Sequence, residues 1–274
     1  IGGYDSNLGA ILSCVEEYNG ATWSVGSSLN IGLKNMGSAG VLNSALSFGG
    51  YDGGYSTTSV TQEYNGSTWS SQSSMSIPRH SLSGAGENSE CVIAFGGLNT
   101  CNNTEEWAYG SWSTCAIMSN GRKWMGGTGN HFNAMAFGGS NGSSALSCTE
   151  KYNFNTWSTC SPMPIARYGV GAAGGSTAGN FGSVDSLVFG GRGTSGGGCI
   201  STECFVSNVW SATQNMNSEN YVGGYSGIEN AALSFGGYDG SSQGTTSNTE
   251  RFNTSTPGGV GVDALSFDPS TGNT

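Results

Sequence analysis

The stretch Ala45-Leu46-Ser47-Phe48-Gly49-Gly50 alternates bulky and small side chains and then stops in two glycines, the mark of a half-buried strand running into a turn. It returns as VIAFGG at 92–97, AMAFGG at 134–139, SLVFGG at 186–191 and ALSFGG at 232–237. A truncated copy, Ile1-Gly2-Gly3, opens the chain, and Ala264 to Phe267 repeats ALSF without the glycines. Successive phenylalanines of the phrase lie 47, 42, 52 and 46 residues apart, room for four strands per repeat, and the longest interval carries a Gly-rich insertion around 178–184. Self-similarity at such a period marks an array of supersecondary units, none of which can bury its hydrophobic face alone.

Working outward from the phrase, each repeat reads as four strands. In the second repeat Lys34 to Gly40 is small and apolar, Ser44 to Gly50 carries the doublet, Ser59 to Tyr64 is a third strand, and Thr68-Trp69-Ser70 starts a fourth. An acidic or amide residue stands two before the third-strand aromatic throughout: Glu16, Gln62, Glu105, Glu150, Glu203 and Glu250. A tryptophan follows that aromatic by five residues in the first five repeats, at Trp23, Trp69, Trp112, Trp157 and Trp210, and is missing from the sixth. Asn65-Gly66 between the two strands is a strong hairpin signal. A fixed spacing across a hairpin fixes register, so two aromatics per unit are expected to build the core.

Composition narrows the function classes. Of 274 residues only 9% are charged, 48 are glycine, and the formal net charge is -10. So acidic a chain does not offer the clustered Lys and Arg that grip nucleic-acid phosphates, and no nucleic acid is expected as a partner. No apolar run approaches the ~18 residues of a spanning helix, so no membrane insertion is expected. The chain begins at Ile1 inside a repeat, as a mature form or a piece of a longer protein would. Eight cysteines without a C-x-x-C pair, and only two histidines, point to disulfides and not to a metal, and hence to an oxidising, extracellular compartment.

The glycine doublet, the acidic residue before an aromatic, and the later Trp, at this period, resemble the kelch repeat, whose units form blades of β-propellers. The resemblance covers Ile1 to Phe267, and the wording of the repeats is also similar to kelch-like repeats of marine phage tail-fibre and virion surface proteins. It implies an all-β, six-bladed propeller as a single domain over 1–267, followed by a tail at 268–274. The segment Pro257 to Phe267 matches Gly223 to Phe235 in type and order, so the C-terminal strands are expected to complete the N-terminal blade. Donor-strand exchange with a neighbouring molecule is the alternative.

Several residue sets could carry chemistry. Cys148 and Cys160 lie six residues either side of Phe154, so a cross-strand disulfide is expected there. Cys101 with Cys115 occupies related places in the preceding repeat, Cys199 with Cys204 could close a small loop, and Cys14 and Cys91 are left over. Lys34, Arg79, Arg122 and Arg167 begin successive first strands, with Glu219 breaking the series. They read either as an anion-binding ring or, the stronger reading, as buried partners of the recurrent glutamates. Gly-Tyr-Asp follows three doublets, placing Tyr4, Asp5, Tyr51, Asp52, Tyr238 and Asp239 at loop tips where they could contact a sugar, although turn chemistry explains Asp-Gly equally well. Asn65, Asn102, Asn141 and Asn253 head N-x-S/T sequons.

Catalysis finds little support. The copper oxidase on a kelch-like propeller needs two histidine ligands and a Tyr-Cys crosslink, and sialidases need an arginine triad with Asp-box turns, which read N-G-S-T-W here. The expectation is a non-catalytic extracellular or virion-surface module with no cofactor. Its partner would be a protein or surface glycan, with assembly into a homo-oligomer or fibre. A carbohydrate-active enzyme on the same scaffold is the alternative.

Overall fold

The computed structural model describes residues 1–6, 8–98, 101–175, 185–228, 231–239, 244–253 and 261–265, the last five as backbone. Every regular element among them is a β-strand. The chain divides into two compact units, Ile1–Lys123 and Trp124–Thr274.

The first unit holds two four-stranded antiparallel sheets, each a meander in chain order. One is Gly37–Val41, Ser44–Phe48, Thr61–Tyr64 and Trp69–Gln72; the other is Ser83–Gly86, Cys91–Phe95, Thr104–Ala108 and Ser111–Thr114. Before them come two short ladders, Gly3–Asp5 with Ala10–Leu12 and Glu16–Tyr18 with Trp23–Val25. The second unit holds three more such sheets. Their first strands are Gly126–Gly129, Gly171–Gly175 and Gly224–Ile228, and their outermost strands are Trp157–Cys160, Val209–Ala212 and Gly261–Leu265. A small ladder of Arg167–Tyr168 with Arg192–Gly193 lies beside them in the chain. Within each unit the first strands of successive sheets lie next to one another, which is how propeller blades pack.

The first strands are glycine-rich because the phenylalanine of the repeated phrase lies over them. Phe48 is fully buried. A Cβ on Gly37, its cross-strand partner, would sit 2.3 Å from the ring, and one on Gly84 of the next sheet 2.5 Å. On the outer side the five-residue spacing places each tryptophan directly opposite its aromatic, as in Tyr64↔Trp69, Trp107↔Trp112, Tyr152↔Trp157 and Phe205↔Trp210. Ring centroids in these pairs are 4.9 to 5.6 Å apart, within the range where aromatic pairs attract beyond area burial. The Asn-Gly signal works differently from a simple two-residue turn on Asn and Gly. Gly66 and Ser67 form the tip, and Asn65 caps it, its Oδ1 accepting the Ser67 and Thr68 N–H groups at 3.0 Å.

Three expectations are corrected. Against six blades, five four-stranded sheets are present among the described residues. The C-terminal strand does not complete the N-terminal blade. It pairs antiparallel with Thr249–Asn253, from Asn253↔Gly261 to Thr249↔Leu265, as the fourth strand of its own sheet. The sixth repeat lacks the Trp-bearing strand, which would leave that edge unpaired, and a strand eight residues downstream covers it at a small cost in loop entropy. The tail beyond 265, with Phe267, lies outside the described residues, as does the 178–184 insertion.

Third, none of the eight cysteines is joined in a disulfide. The third hairpin pairs Thr149 with Cys160, so its axis falls between Phe154 and Asn155 and Cys148 is one residue out of register with Cys160. One residue is enough to put the two side chains on opposite faces. Cys115 donates its backbone N–H to Thr104, which leaves Cys101 three positions away from it. Cys204 is paired with Leu187 and Ser211 inside its sheet, while Cys199 lies upstream with its N–H on the Gly191 carbonyl. Cys14 and Cys91 are likewise unpaired. The cysteine-based case for an oxidising compartment therefore loses its support.

Alkylation of the denatured chain without reductant is expected to add eight adducts by intact mass; six or fewer would restore a disulfide. Gly49→Ala, at φ 64 with its new Cβ 2.4 Å from the Arg79 carbonyl, is expected to lose about 2–3 kcal/mol in denaturant unfolding, whereas Gly53→Ala, in open space, should be neutral.

Candidate functional site

Both glycines of each doublet have positive φ, and all but the last doublet, Gly236-Gly237, dock on a carbonyl of the segment leading to the next sheet. The second glycine donates its N–H to Leu33 from Gly3, to Arg79 from Gly50, to Arg122 from Gly97, to Arg167 from Gly139 and to Asn220 from Gly191, all at 2.8 or 2.9 Å. These five residues therefore hold one equivalent position. The expected basic series needs adjusting: Leu33, not Lys34, shares the slot with Arg79, Arg122 and Arg167.

The side chains in this slot face inward. Arg79, Arg122 and Arg167 are at most 1% exposed. Arg79 Nη1 donates to the carbonyls of Gly96 (3.1 Å) and Asn103 (2.7 Å), while Nη2 reaches the Ala94 carbonyl and, at 3.0 Å, Glu105 Oε1. Arg167 repeats the arrangement with the Gly190 and Ser201 carbonyls and Glu203. Burial lowers the Arg167 guanidinium to about 10, still charged at neutral pH. The glutamates also reach backbone: Glu105 Oε2 accepts the Ser76 N–H at 2.7 Å, and Glu250 accepts those of Asn217 and Ser218. Where the slot holds Leu33, the carboxylate is replaced by Gln62, whose amide both accepts from Ile31 N–H and donates to Ile31 C=O. These residues are structural, and the anion-ring reading does not apply to them.

One position further on lies a second set of side chains, half-buried at Lys34, Lys123 and Tyr168 and buried at His80 and Tyr221. Lys34, His80, Lys123, Tyr168 and Tyr221 follow the slot, and four of them pair through the backbone with residues just after a doublet: Lys34 with Tyr51, His80 with Leu98, Tyr168 with Arg192 and Tyr221 with Tyr238. In the first unit Lys34 and Tyr51 exchange both backbone hydrogen bonds, and the Lys34 ammonium lies 4.2 Å from the Tyr4 ring centroid, 4.5 Å from Tyr55 and 5.9 Å from Tyr51. Tyr51 stacks on His80 with centroids 3.9 Å apart. His80 is 4% exposed; its Nδ1 contacts the Ser81 hydroxyl at 2.8 Å and its Nε2 has no partner. Burial, then the charges of Lys123 and Lys34, hold its pKa down to about 4, so the ring is neutral at physiological pH.

The loop-tip residues expected to contact a sugar divide by type. Tyr4 and Tyr51 do come together, joined by Tyr55 and His80, which the sequence reading missed. Asp5 and Asp52 turn onto their own loops: Asp5 Oδ1 accepts the Leu8 N–H, and Asp52 Oδ1 those of Gly54 and Ser56. In the second unit Tyr238 stacks on Tyr221 at 5.5 Å, and the Arg192 guanidinium lies 5.4 Å from the Tyr221 ring, while Asp239 donates its backbone N–H to Gly244. Among the sequons, Asn65 and Asn141 occupy exposed turns, Asn102 donates its amide to the Met118 carbonyl, and Asn253 lies half-buried in a strand. No group of three metal-ligating side chains occurs among the described residues, and no helix there is long and apolar enough to cross a membrane.

The model of the kelch motif matches residues 135–164, which run from the second strand to just past the fourth strand of the sheet that begins at Gly126. No curated protein matches the chain. The same order of doublet, glutamate or glutamine, aromatic and outer strand recurs in the other sheets, so the chain is built of kelch repeats of the β-propeller kind.

Arg79→Leu is expected to cost about 3–5 kcal/mol in denaturant unfolding because it strands Glu105 in the interior. Adding Glu105→Gln, which recreates the Leu33–Gln62 combination, should recover most of the loss; a double variant no more stable than the single one would contradict the equivalence of the two slots.

Proposed function

We propose that the chain is a non-catalytic binding module that takes a protein partner at the rim formed by Tyr4, Lys34, Tyr51, Tyr55 and His80 in the first unit. The observation that carries this reading is the convergence of two doublet loops and a basic side chain on one accessible spot, with Tyr55 53% exposed. Tyrosines on loops held by a rigid sheet scaffold supply large contact area at low entropic cost. Kelch propellers generally serve as protein-interaction scaffolds, which supports a protein partner.

A glycan partner has weaker support. Sugar stacking needs an open ring face, and the Tyr51 face carries His80 while the Tyr4 and Tyr55 rings lie against Lys34. The nearby carboxylates, Asp5 and Asp52, hold their own turns and are not aimed as an acid and base across a cleft. We place the module outside the cell or on a virion surface on composition alone: 9% charged residues among abundant Gly, Ser, Thr and Asn.

The test is site-specific photo-crosslinking from position 55 and, as a control, from exposed Val206 in the second unit, with crosslinked proteins identified by mass spectrometry. A protein captured from position 55 alone should bind the purified chain, and Tyr51→Ala with Tyr55→Ala should weaken it at least about tenfold. Turnover of a glycoside substrate by the purified chain would overturn the non-catalytic reading in favour of a carbohydrate-active enzyme.

A further inference from the structure

Arg192 in the second unit differs from the arginines of the slot in how its head is held. Arg79 and Arg167 are enclosed, and both terminal nitrogens of each meet carbonyls or a carboxylate. Arg192 is half-buried; it pairs through the backbone with Tyr168 and bridges to Gly198 across a Gly-rich turn. Its Nε donates to the Gly196 carbonyl at 2.7 Å, and its guanidinium lies 5.4 Å from the centroid of the Tyr221 ring, against which Tyr238 stacks at 5.5 Å. The turn carbonyl and the ring together fix the orientation of the head. Nη1 and Nη2 donate to no described residue, and neither belongs to the buried polar atoms that lack a partner, so both reach solvent. Arg192 is in no ion pair among the described residues. Two acidic side chains lie nearby: Glu219, whose Oε2 would be 2.6 Å from a Cβ on Gly198, and Asp239, whose charge acts on Tyr221.

We propose that Arg192, held by Gly196 and Tyr221, is a receptor for one carboxylate, supplied by a Glu or Asp side chain of a protein partner. The proposal does not depend on the first-unit rim. A guanidinium stays charged, and its two terminal nitrogens present parallel N–H donors that match the two oxygens of a carboxylate. One cation with Glu219 and Asp239 nearby suits a single negative charge better than the double charge of a phosphate. A sugar acid would bring a ring in need of a face, and Tyr221 already has Arg192 and Tyr238 against it. A slim acidic side chain fits instead. Exposed ion pairs are weak mainly because ordering two long side chains costs entropy; here one of the two is already ordered, so binding is expected even though the formal net charge of the chain is -10.

The experiment follows the Arg192 Nε–Hε signal and the backbone amides of Gly193 and Gly196 by NMR in the intact chain. The ligands are an N-acetylated, C-amidated pentapeptide with one Glu among Gly and Ser, its Gln counterpart, methyl glucuronide and inorganic phosphate. The Glu peptide should shift all three signals saturably, with the Gln peptide inert. Judged from the two amides, it should bind about tenfold or more weakly to Arg192→Gln, and less tightly to Arg192→Lys than to the unaltered chain. Equal shifts by the two peptides, no shift by either, tighter binding of methyl glucuronide or phosphate, or full binding by either variant would overturn the receptor. If neither variant folds, the unaltered chain with the four ligands decides by itself. Tyr51→Ala with Tyr55→Ala should leave the titration unchanged, so this site and the first-unit rim stand or fall separately; a titration lost in that double variant would overturn the assignment to Arg192.

Discussion

The structure within each unit depends on one buried cation between neighbouring sheets. Arg79 offers its carbonyl to the doublet of one sheet and sends its guanidinium into the next, where three carbonyls and Glu105 surround it. Arg167 does the same for the pair of sheets on either side of it in the second unit. A guanidinium is planar and its donors point in fixed directions, so these acceptors are met together in only one docking of the sheets. A buried ion pair adds little net stability over an apolar substitute. Leu33 with Gln62 shows that substitute within the same chain, and the doublet contact at Gly3 survives there. The charged version therefore sets geometry more than it adds energy.

The glycines follow from that docking. The first doublet glycine faces the slot residue's carbonyl so closely that a Cβ would meet oxygen at 2.4 Å from Gly49 and 2.5 Å from Gly138. The residue after a doublet bridges to the residue after the slot that leads into its own sheet, as Tyr51 does to Lys34 and Tyr238 to Tyr221. The repeated core thus presents a variable rim, and the proposed binding residues come from the positions that the core leaves free to differ.

Much of this was legible in the residues. The doublets, the third-strand glutamates and the Tyr-to-Trp spacing all lie within one repeat, and local spacing fixes local pairing. The pairing of Arg with Glu was legible too, and the match of Leu33 with Gln62 could have placed the slot correctly, since both members change together. Lys34 misled because it is the basic residue adjacent to the slot. Tyr55 and His80 carried no signal, as nothing in a single repeat links them to the distant Tyr4 of the first loop.

The sequence by itself determined the all-β repeat, the order of strands in each blade and the aromatic pairs of the hairpins. These rest on periodicity and turn length, which act over a few residues. Only the tertiary structure decided that Cys148 misses Cys160, that Leu33 and not Lys34 fills the slot, and that the C-terminal strand stays on its own sheet. In the first two cases a shift of one residue reverses which face a side chain occupies, and spacing counted along the chain does not resolve such a shift. In the third, the strand pairs with Thr249–Asn253, eight residues upstream, and likeness of wording between repeats does not say which sheet a strand joins.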